Sequence, residues 1–251
     1  MYKQFFSGKK AVFFDLDGTL VDTTPVWDAA MAEALGNLNF QWRGANFIGG
    51  KGLAKTWTEY LDYEGYDPGV SISELVKQTK DKFIKHLKDS EIDVRKGFWP
   101  FTVQLQEQLD MKLAMVTNTD KEVAEAILKY LGLSNAFDLK VFGDDVKKKK
   151  PNPEIYKLAI KQLNLSPKDV LVFEDSPEGA KAAAKAGTDL IVVWDWRKYA
   201  EKEFPRKALV FIQDFSAFPG HLDKTYLEAF KEAKEARESK EAEKAKEEVS
   251  E

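Results

Sequence analysis

Ala11-Val12-Phe13-Phe14-Asp15-Leu16-Asp17-Gly18-Thr19 is the stretch that decides how this chain is read. Four consecutive apolar residues suit a short strand buried on both faces. Two carboxylates stand where that strand runs out. A glycine and a hydroxyl residue follow, where the backbone has to turn. Acids beside a core strand are costly unless something positive pairs with them. A divalent cation, a nearby lysine or a reaction that uses them would each account for the pattern.

Five further apolar runs predict strands: Lys112 to Thr117, Leu139 to Phe142, Val170 to Phe173, Leu190 to Trp194 and Ala208 to Ile212. Helical spacing lies between several of them. Val123, Ala124, Ile127, Leu128 and Leu131 recur on one face, with Asp120 as a cap and Gly132 as a stop. Ile155, Leu158, Ala159 and Leu163 repeat the pattern after Asn152-Pro153, read as N-cap and first helical residue. Ser176-Pro177 opens a third helix that Gly187 closes. Strand alternating with helix predicts an α/β fold, a mainly parallel doubly wound sheet covered on both faces.

The strand ends carry the chemistry. They deliver Asp15 and Asp17, Thr117-Asn118, Asp144-Asp145 with a lysine run behind them, and Glu174-Asp175. Ligands of open α/β sheets sit outside the carboxyl ends of the strands, so these groups are expected in one site.

Residues 24 to 95 break the alternation. They are mostly helical in period and rich in aromatics (Trp27, Phe40, Trp42, Phe47, Trp57, Tyr60, Tyr63 and Tyr66). Because this segment follows the first strand, it reads as a helical lid inserted over the carboxyl edge, with most of its aromatics in its own core. The expected division is a core of residues 1–22 and 96–222, a cap of 23–95, and a charged helical or frayed tail of 223–251.

Composition narrows the options. With 251 residues and 43% apolar content, the chain can bury a large core. Cys 0 excludes disulfides, thiol catalysis and cysteine-zinc sites, and fits a reducing, cytoplasmic compartment. His 2 leaves only His86 and His221, read as surface and loop, for histidine chemistry. No secretory h-region and no run near the ~20 apolar residues of a membrane span is found, so no membrane partner is expected. The net charge is −4, and residues 223 to 251 hold 7 Lys/Arg against 10 Asp/Glu. The nearly neutral remainder offers no basic face for nucleic acid. Ala45 to Gly52 approaches a nucleotide P-loop but lacks its first glycine and its Ser or Thr after the lysine, and is rejected.

Taken together, these residues resemble the haloacid dehalogenase superfamily, in its phosphatase and phosphomutase branch. Four motifs occur in the family's order: Asp15 to Thr23, Val116-Thr117-Asn118, Lys150-Pro151-Asn152-Pro153-Glu154-Ile155-Tyr156, and Phe173-Glu174-Asp175-Ser176-Pro177-Glu178-Gly179-Ala180. The insertion between the first two resembles the helical-cap class, on a Rossmann-like core. The resemblance implies that Asp15 is a nucleophile and Asp17 the acid and base for the leaving group and the water. It implies Lys150 as a fixed cation and Thr117 as a phosphate-oxygen donor, with Gly18 and Asn118 beside the phosphate. Oxygen-rich ligands without usable Cys or His point to Mg²⁺, held by Asp15, the Asp17 carbonyl, Asp175 and, directly or one shell out, Glu174. Lys147, Lys148 and Lys149 read as a solvated loop. In the cap, Arg43 and Lys51 are candidates to meet the substrate.

The expected function is a Mg²⁺-dependent phosphatase acting on a small phosphorylated metabolite. The alternative within the family is a sugar phosphomutase, but such mutases carry a histidine in the helix leading into the cap, where Trp27 stands. The alternative from another class is a non-catalytic binding or scaffold protein on the same fold. Substrate and oligomeric state are left open by the sequence.

Overall fold

All six predicted strands form, each within one residue of its expected ends: β1 (Ala11–Phe14), β2 (Lys112–Val116), β3 (Leu139–Val141), β4 (Val170–Glu174), β5 (Asp189–Val193) and β6 (Ala208–Ile212). The computed structural model describes residues 3–36, 42 and 52–218. The strands make one parallel sheet in the order β3-β2-β1-β4-β5-β6.

The burial of β1 explains its unbroken apolar run. Its residues alternate between two cores. Val12 and Phe14 join Leu113, Met115, Leu171 and Phe173 on one face. Ala11 and Phe13 join Ala114, Val116, Val170 and Val172 on the other. The first face is aromatic: Phe14 stacks on Phe173 at 5.3 Å and meets Phe98, Phe101 and Phe215 edge-on. Phe98 and Phe101 belong to a short helix, α5 (Phe98–Val103), that the sequence pattern did not mark. The second face is covered by α7 (Glu154–Gln162) and α8 (Pro177–Ala186), whose small alanines let them lie close to the sheet.

A short helix, α1 (Lys3–Phe6), precedes β1, and between β1 and β2 the described residues form α2 (Thr24–Gly36), α3 (Leu53–Glu64) and α4 (Ile72–Lys88) ahead of α5. Met31, Leu35, Trp42, Trp57, Tyr60 and Leu75 form a small core of their own there. Val26, Ala30, Phe83 and Leu87 turn the other way and join the main core. Most of the described aromatics in this segment are packing residues, as expected, but Tyr63 is exposed. Phe40, Phe47 and the tail of 223–251 lie outside the described residues, as does His221. The two connections to the sheet run side by side: Val21 pairs antiparallel with Val94, and Arg95 N donates to Leu20 O at 2.7 Å.

Helix starts follow the sequence with two shifts. Ser176 caps α8 by accepting from Gly179 N, with Pro177 next and Gly187 left-handed at the far end. At α7 the cap moves one residue on: Pro153 holds the cap position, and Asn152 Oδ1 accepts from Glu154 N. Asp120 precedes α6 (Lys121–Tyr130) but does not cap it with its side chain. Asp144 Oδ1 accepts from Lys121 N instead.

Candidate active site

In the sheet order, β1 and β4 are neighbours whose connections leave in opposite directions, the place where α/β sheets open a crevice. Phe14 lies beside Phe173, so the residues after them emerge together. Asp15 N donates to Phe173 O at 3.0 Å, which carries the sheet one residue further and fixes the Asp15 carboxylate against the end of β4.

Lys150 is buried beneath that carboxylate. Its Nζ donates to Asp15 Oδ1 at 2.6 Å, to Glu174 Oε1 at 2.7 Å and to Val116 O at 2.8 Å, so all three ammonium protons are used. Asn118 holds the Lys150 main chain: Oδ1 accepts from Lys150 N at 2.9 Å and Nδ2 donates to Lys150 O at 3.4 Å. Tyr156, one turn into α7, donates to Glu174 Oε1 at 2.6 Å and lays its ring 5.0 Å from Lys150 Nζ.

Asp15, Glu174 and Asp175 each offer an oxygen within 4.8 Å of the others. Burial, opposed by Lys150 and reinforced by Glu174 and Asp175, pushes the Asp15 carboxyl well above its ordinary range. Asp175 is pushed up to about 7, by burial first and the Glu174 charge second. Lys150 is held above its ordinary value because Asp15 and Glu174 outweigh the cost of burying its charge. Two buried acids and the half-buried Asp175 thus face one buried ammonium. This excess of negative oxygen suits a hard divalent cation, and Mg²⁺ fits the donor set.

Asp17 stands in a ring of donors. Thr23 Oγ1 and Trp27 Nε1 donate to Oδ1 at 2.6 and 3.1 Å, and Thr119 Oγ1 donates to Oδ2 at 2.6 Å. Gly18 follows with a φ of +87°, and a Cβ there would lie 2.0 Å from Asp175 Oδ2, so only glycine fits. Its carbonyl accepts from Arg95 Nε and Nη2. Thr117 is buried and accepts from Thr119 N.

One cleft is lined by Asp15, Asp17, Gly18, Thr117, Asn118, Lys150 and Asp175, and its opposite wall is made by Trp27, Met31, Leu53, Val76 and Lys80 from α2, α3 and α4. Glu174 does not line it, because its carboxylate is turned beneath Lys150.

The haloacid dehalogenase-like hydrolase family matches residues 9–187. The chain belongs to that family. This hydrolase is 34% identical over 188 residues to a phosphorylated carbohydrates phosphatase of Thermotoga maritima, covering 72% of this chain and 83% of the relative. It is 29% identical to the fructose-1-phosphate phosphatase YqaB of Escherichia coli, covering 77% and 98%. In three dimensions it is similar to CbbY from Rhodobacter sphaeroides in complex with phosphate, with a TM-score of 0.76, 26% identity, and coverage of 85% and 97%. The hydrolase is therefore an enzyme among relatives named as phosphatases.

Two expectations about the site are corrected. Asp144 and Asp145 follow β3 but do not reach the cleft: Asp144 serves the start of α6, and Asp145 Oδ2 accepts from Phe142 N in its own turn. Lys149 is not part of a solvated loop. It lines the cleft and donates to Asp120 Oδ1 at 2.6 Å and Asn118 O at 3.1 Å. Arg43 and Lys51 lie outside the described residues. His86, read as surface, is half-buried on α4 with Nε2 at 2.8 Å from Glu33 Oε2, away from the cleft. Sequence reasoning gave no site role to Thr119, Thr23, Arg95, Tyr156 or Lys80. Thr23 and Tyr156 lay inside the quoted motifs, and that was their only signal.

Proposed function

We propose that this hydrolase is a Mg²⁺-dependent phosphatase that cleaves a small phosphorylated metabolite through a phosphoryl group carried on Asp15. The observation that carries this reading is the buried Asp15–Lys150–Glu174 arrangement at the mouth of the sheet. It holds one carboxylate oxygen against a fixed cation in a cleft large enough to admit a ligand.

Asp15, Asp175 and the Asp17 carbonyl would hold the ion, with Glu174 anchoring Lys150 from beneath. When bound, Mg²⁺ supplies charge neutralisation between the acids and a phosphate dianion. The chain's own groups do the rest. An Asp15 oxygen attacks phosphorus, the new O–P bond forms, and the ester P–O bond breaks. Asp17 gives its proton to the departing oxygen. Thr117 donates to phosphate oxygens, and Lys150 stays in place as their counter-charge. A water then loses a proton to Asp17 and its oxygen attacks the same phosphorus. The bond to Asp15 breaks, and inorganic phosphate leaves.

Residues 23–95 act in this reading as a cap that shields the cleft and selects the leaving group. Similarity to a phosphorylated carbohydrates phosphatase and a fructose-1-phosphate phosphatase supports a phosphorylated sugar as substrate. Trp27 favours hydrolysis over a mutase, because its indole donates to Asp17 and has no acceptor with which to relay a proton between hydroxyls. The lack of a nucleic-acid or membrane partner and a cytoplasmic location belong to the same proposal.

The test is Mg²⁺-dependent phosphate release from p-nitrophenyl phosphate and a panel of sugar phosphates. Asp15→Asn is expected to lose about 10³-fold or more of that activity. An Asp15→Asn protein as active as wild type would overturn the assignment.

A further inference from the structure

We propose that Asp120 is a specificity-determining residue that biases the leaving group toward an uncharged sugar or polyol by tying up two lysines on the wall of the cleft. The inference deepens the phosphatase reading and rests on it.

Asp120 occupies the position before α6 where a carboxylate ordinarily caps the helix. Here Asp144 supplies the oxygen to Lys121 N, at 2.9 Å. Asp120 is thereby freed to receive Lys149 Nζ at 2.6 Å and, from α4 across the cleft, Lys80 Nζ. All three residues line the cleft and are partly exposed to it. Burial pushes the Asp120 carboxyl up, but the hydrogen bonds from Lys149 and Lys80 outweigh it and hold the group below its ordinary range, so it stays charged.

A charge count turns this geometry into specificity. Among the described residues, the lysines lining the cleft are Lys80, Lys149, Lys150 and Lys198. The carboxylates lining it are Asp15, Asp17, Asp120 and Asp175. Each of these lysines already has a carboxylate partner in the protein. Lys150 is committed to Asp15 and Glu174, and Lys198 to Thr24 and Asp22. Among the described residues, Lys80 and Lys149 are the cleft cations left for a second anionic group, and Asp120 engages both. A bisphosphate or a phosphorylated carboxylic acid would have to compete with Asp120 for these lysines, and each contact it gained there would cost one that Asp120 already makes. The neighbouring wall of Met31, Leu53 and Val76 offers such a charge nothing, whereas Asp120 and its lysines can exchange hydrogen bonds with neutral hydroxyls.

The experiment uses the full-length protein with Mg²⁺. It compares kcat/KM for matched pairs, fructose 1-phosphate with fructose 1,6-bisphosphate and glucose 6-phosphate with glucose 1,6-bisphosphate, and adds phosphoglycolate. Wild type is expected to prefer the best monophosphate by about tenfold or more over its bisphosphate and over phosphoglycolate. Asp120→Asn is expected to shrink that ratio by about tenfold, through a lower KM for the anionic substrates. Lys80→Met leaves Asp120 with one lysine and is expected to widen the ratio, which keeps the idea testable if Asp120→Asn does not fold. The proposal is overturned if wild type accepts the bisphosphate or phosphoglycolate as readily as the monophosphate. It is equally overturned if the variants change every substrate by the same factor. A wild type that cleaves p-nitrophenyl phosphate but does not discriminate removes this inference alone. A wild type that cleaves nothing removes the phosphatase reading and this inference with it.

Discussion

Lys150 Nζ and Asp15 Oδ1 lie 2.6 Å apart although 135 residues separate them in the chain. Both are buried, and the same ammonium also meets Glu174. Local sequence preference does not produce this contact. The adjacency of β1, β2 and β4 does, because it brings Asp15, Val116 O and Glu174 around one point.

That point is where stability and activity meet. Removing a buried ammonium leaves two carboxylates without their counter-charge. Lys150→Met is therefore expected to destabilise the metal-free protein by about 3–5 kcal/mol and to abolish phosphate release. Adding Glu174→Gln to Lys150→Met removes one of the stranded charges. The double variant should regain part of the lost stability in a denaturant titration and none of the activity. If the single variant unfolds at the wild-type denaturant midpoint, the pair is not the buried contact described here.

The ring of donors around Asp17 predicts a different signature. The Thr119 hydroxyl and the Trp27 indole N–H both donate to this one carboxylate. Thr119→Val removes the donor to Oδ2, leaving the Asp17 proton poorly aimed at the leaving oxygen. We expect kcat to fall by about 10–100-fold with KM for the phosphate ester little changed, since proton transfer rather than binding is affected. A fall confined to KM would point to substrate contact instead. Substrates with good leaving groups, such as aryl phosphates, should suffer less than alkyl phosphates.

The sheet was legible because each core strand is buried on both faces and reads as an unbroken apolar run. The centre of the site was legible because its acids follow those runs directly. What escaped was set by geometry that no local pattern encodes. Asp144 and Asp120 are both acids near strand or helix ends, yet one caps α6 and the other pairs with lysines. Four consecutive lysines look alike in sequence, but Lys149 and Lys150 reach different acids and the cleft sees both. Arg95 returns from the inserted helices to bind the Gly18 carbonyl, a contact spanning 77 residues. The helix α5 was missed because its aromatic run lacks the polar face that makes helical period visible.

Gly179 offers a stability test separate from the catalytic groups. A Cβ at that position would lie 2.0 Å from Glu174 Oε1, and the first turn of α8 packs directly over the Glu174 carboxylate. In an ordinary exposed helix Gly→Ala stabilises by roughly 0.5–1 kcal/mol. Here Gly179→Ala is expected to do the reverse, costing about 1–3 kcal/mol as Glu174 or the helix shifts. Because Glu174 anchors Lys150, phosphate release should fall as well. A thermal midpoint at or above that of wild type would show that α8 does not sit so close.

The carboxylates predict how metal and pH are linked. Asp175 is pushed up to about 7, whereas an unfolded aspartate titrates near ~3.9. Between those values the folded, metal-free protein keeps a proton that the unfolded chain has released. Folding is then proton-linked in the direction that makes stability fall as pH rises through this window, and the loss is complete above about 7. A cation replaces that proton, so metal binding and protonation compete. In EDTA the contribution of this group should lower the thermal midpoint from pH 5 to pH 8, and Mg²⁺ should raise the midpoint more at pH 8 than at pH 5. Apparent Mg²⁺ affinity measured by titration calorimetry should climb by at least about tenfold per pH unit between pH 5 and 7, because burial favours a proton on both Asp175 and Asp15 that the ion must displace. The Asp175→Asn variant, which has no proton to exchange at that position, should show a shallower slope. An Mg²⁺ effect that is as large at pH 5 as at pH 8 would mean that the buried acids are not where the ion binds.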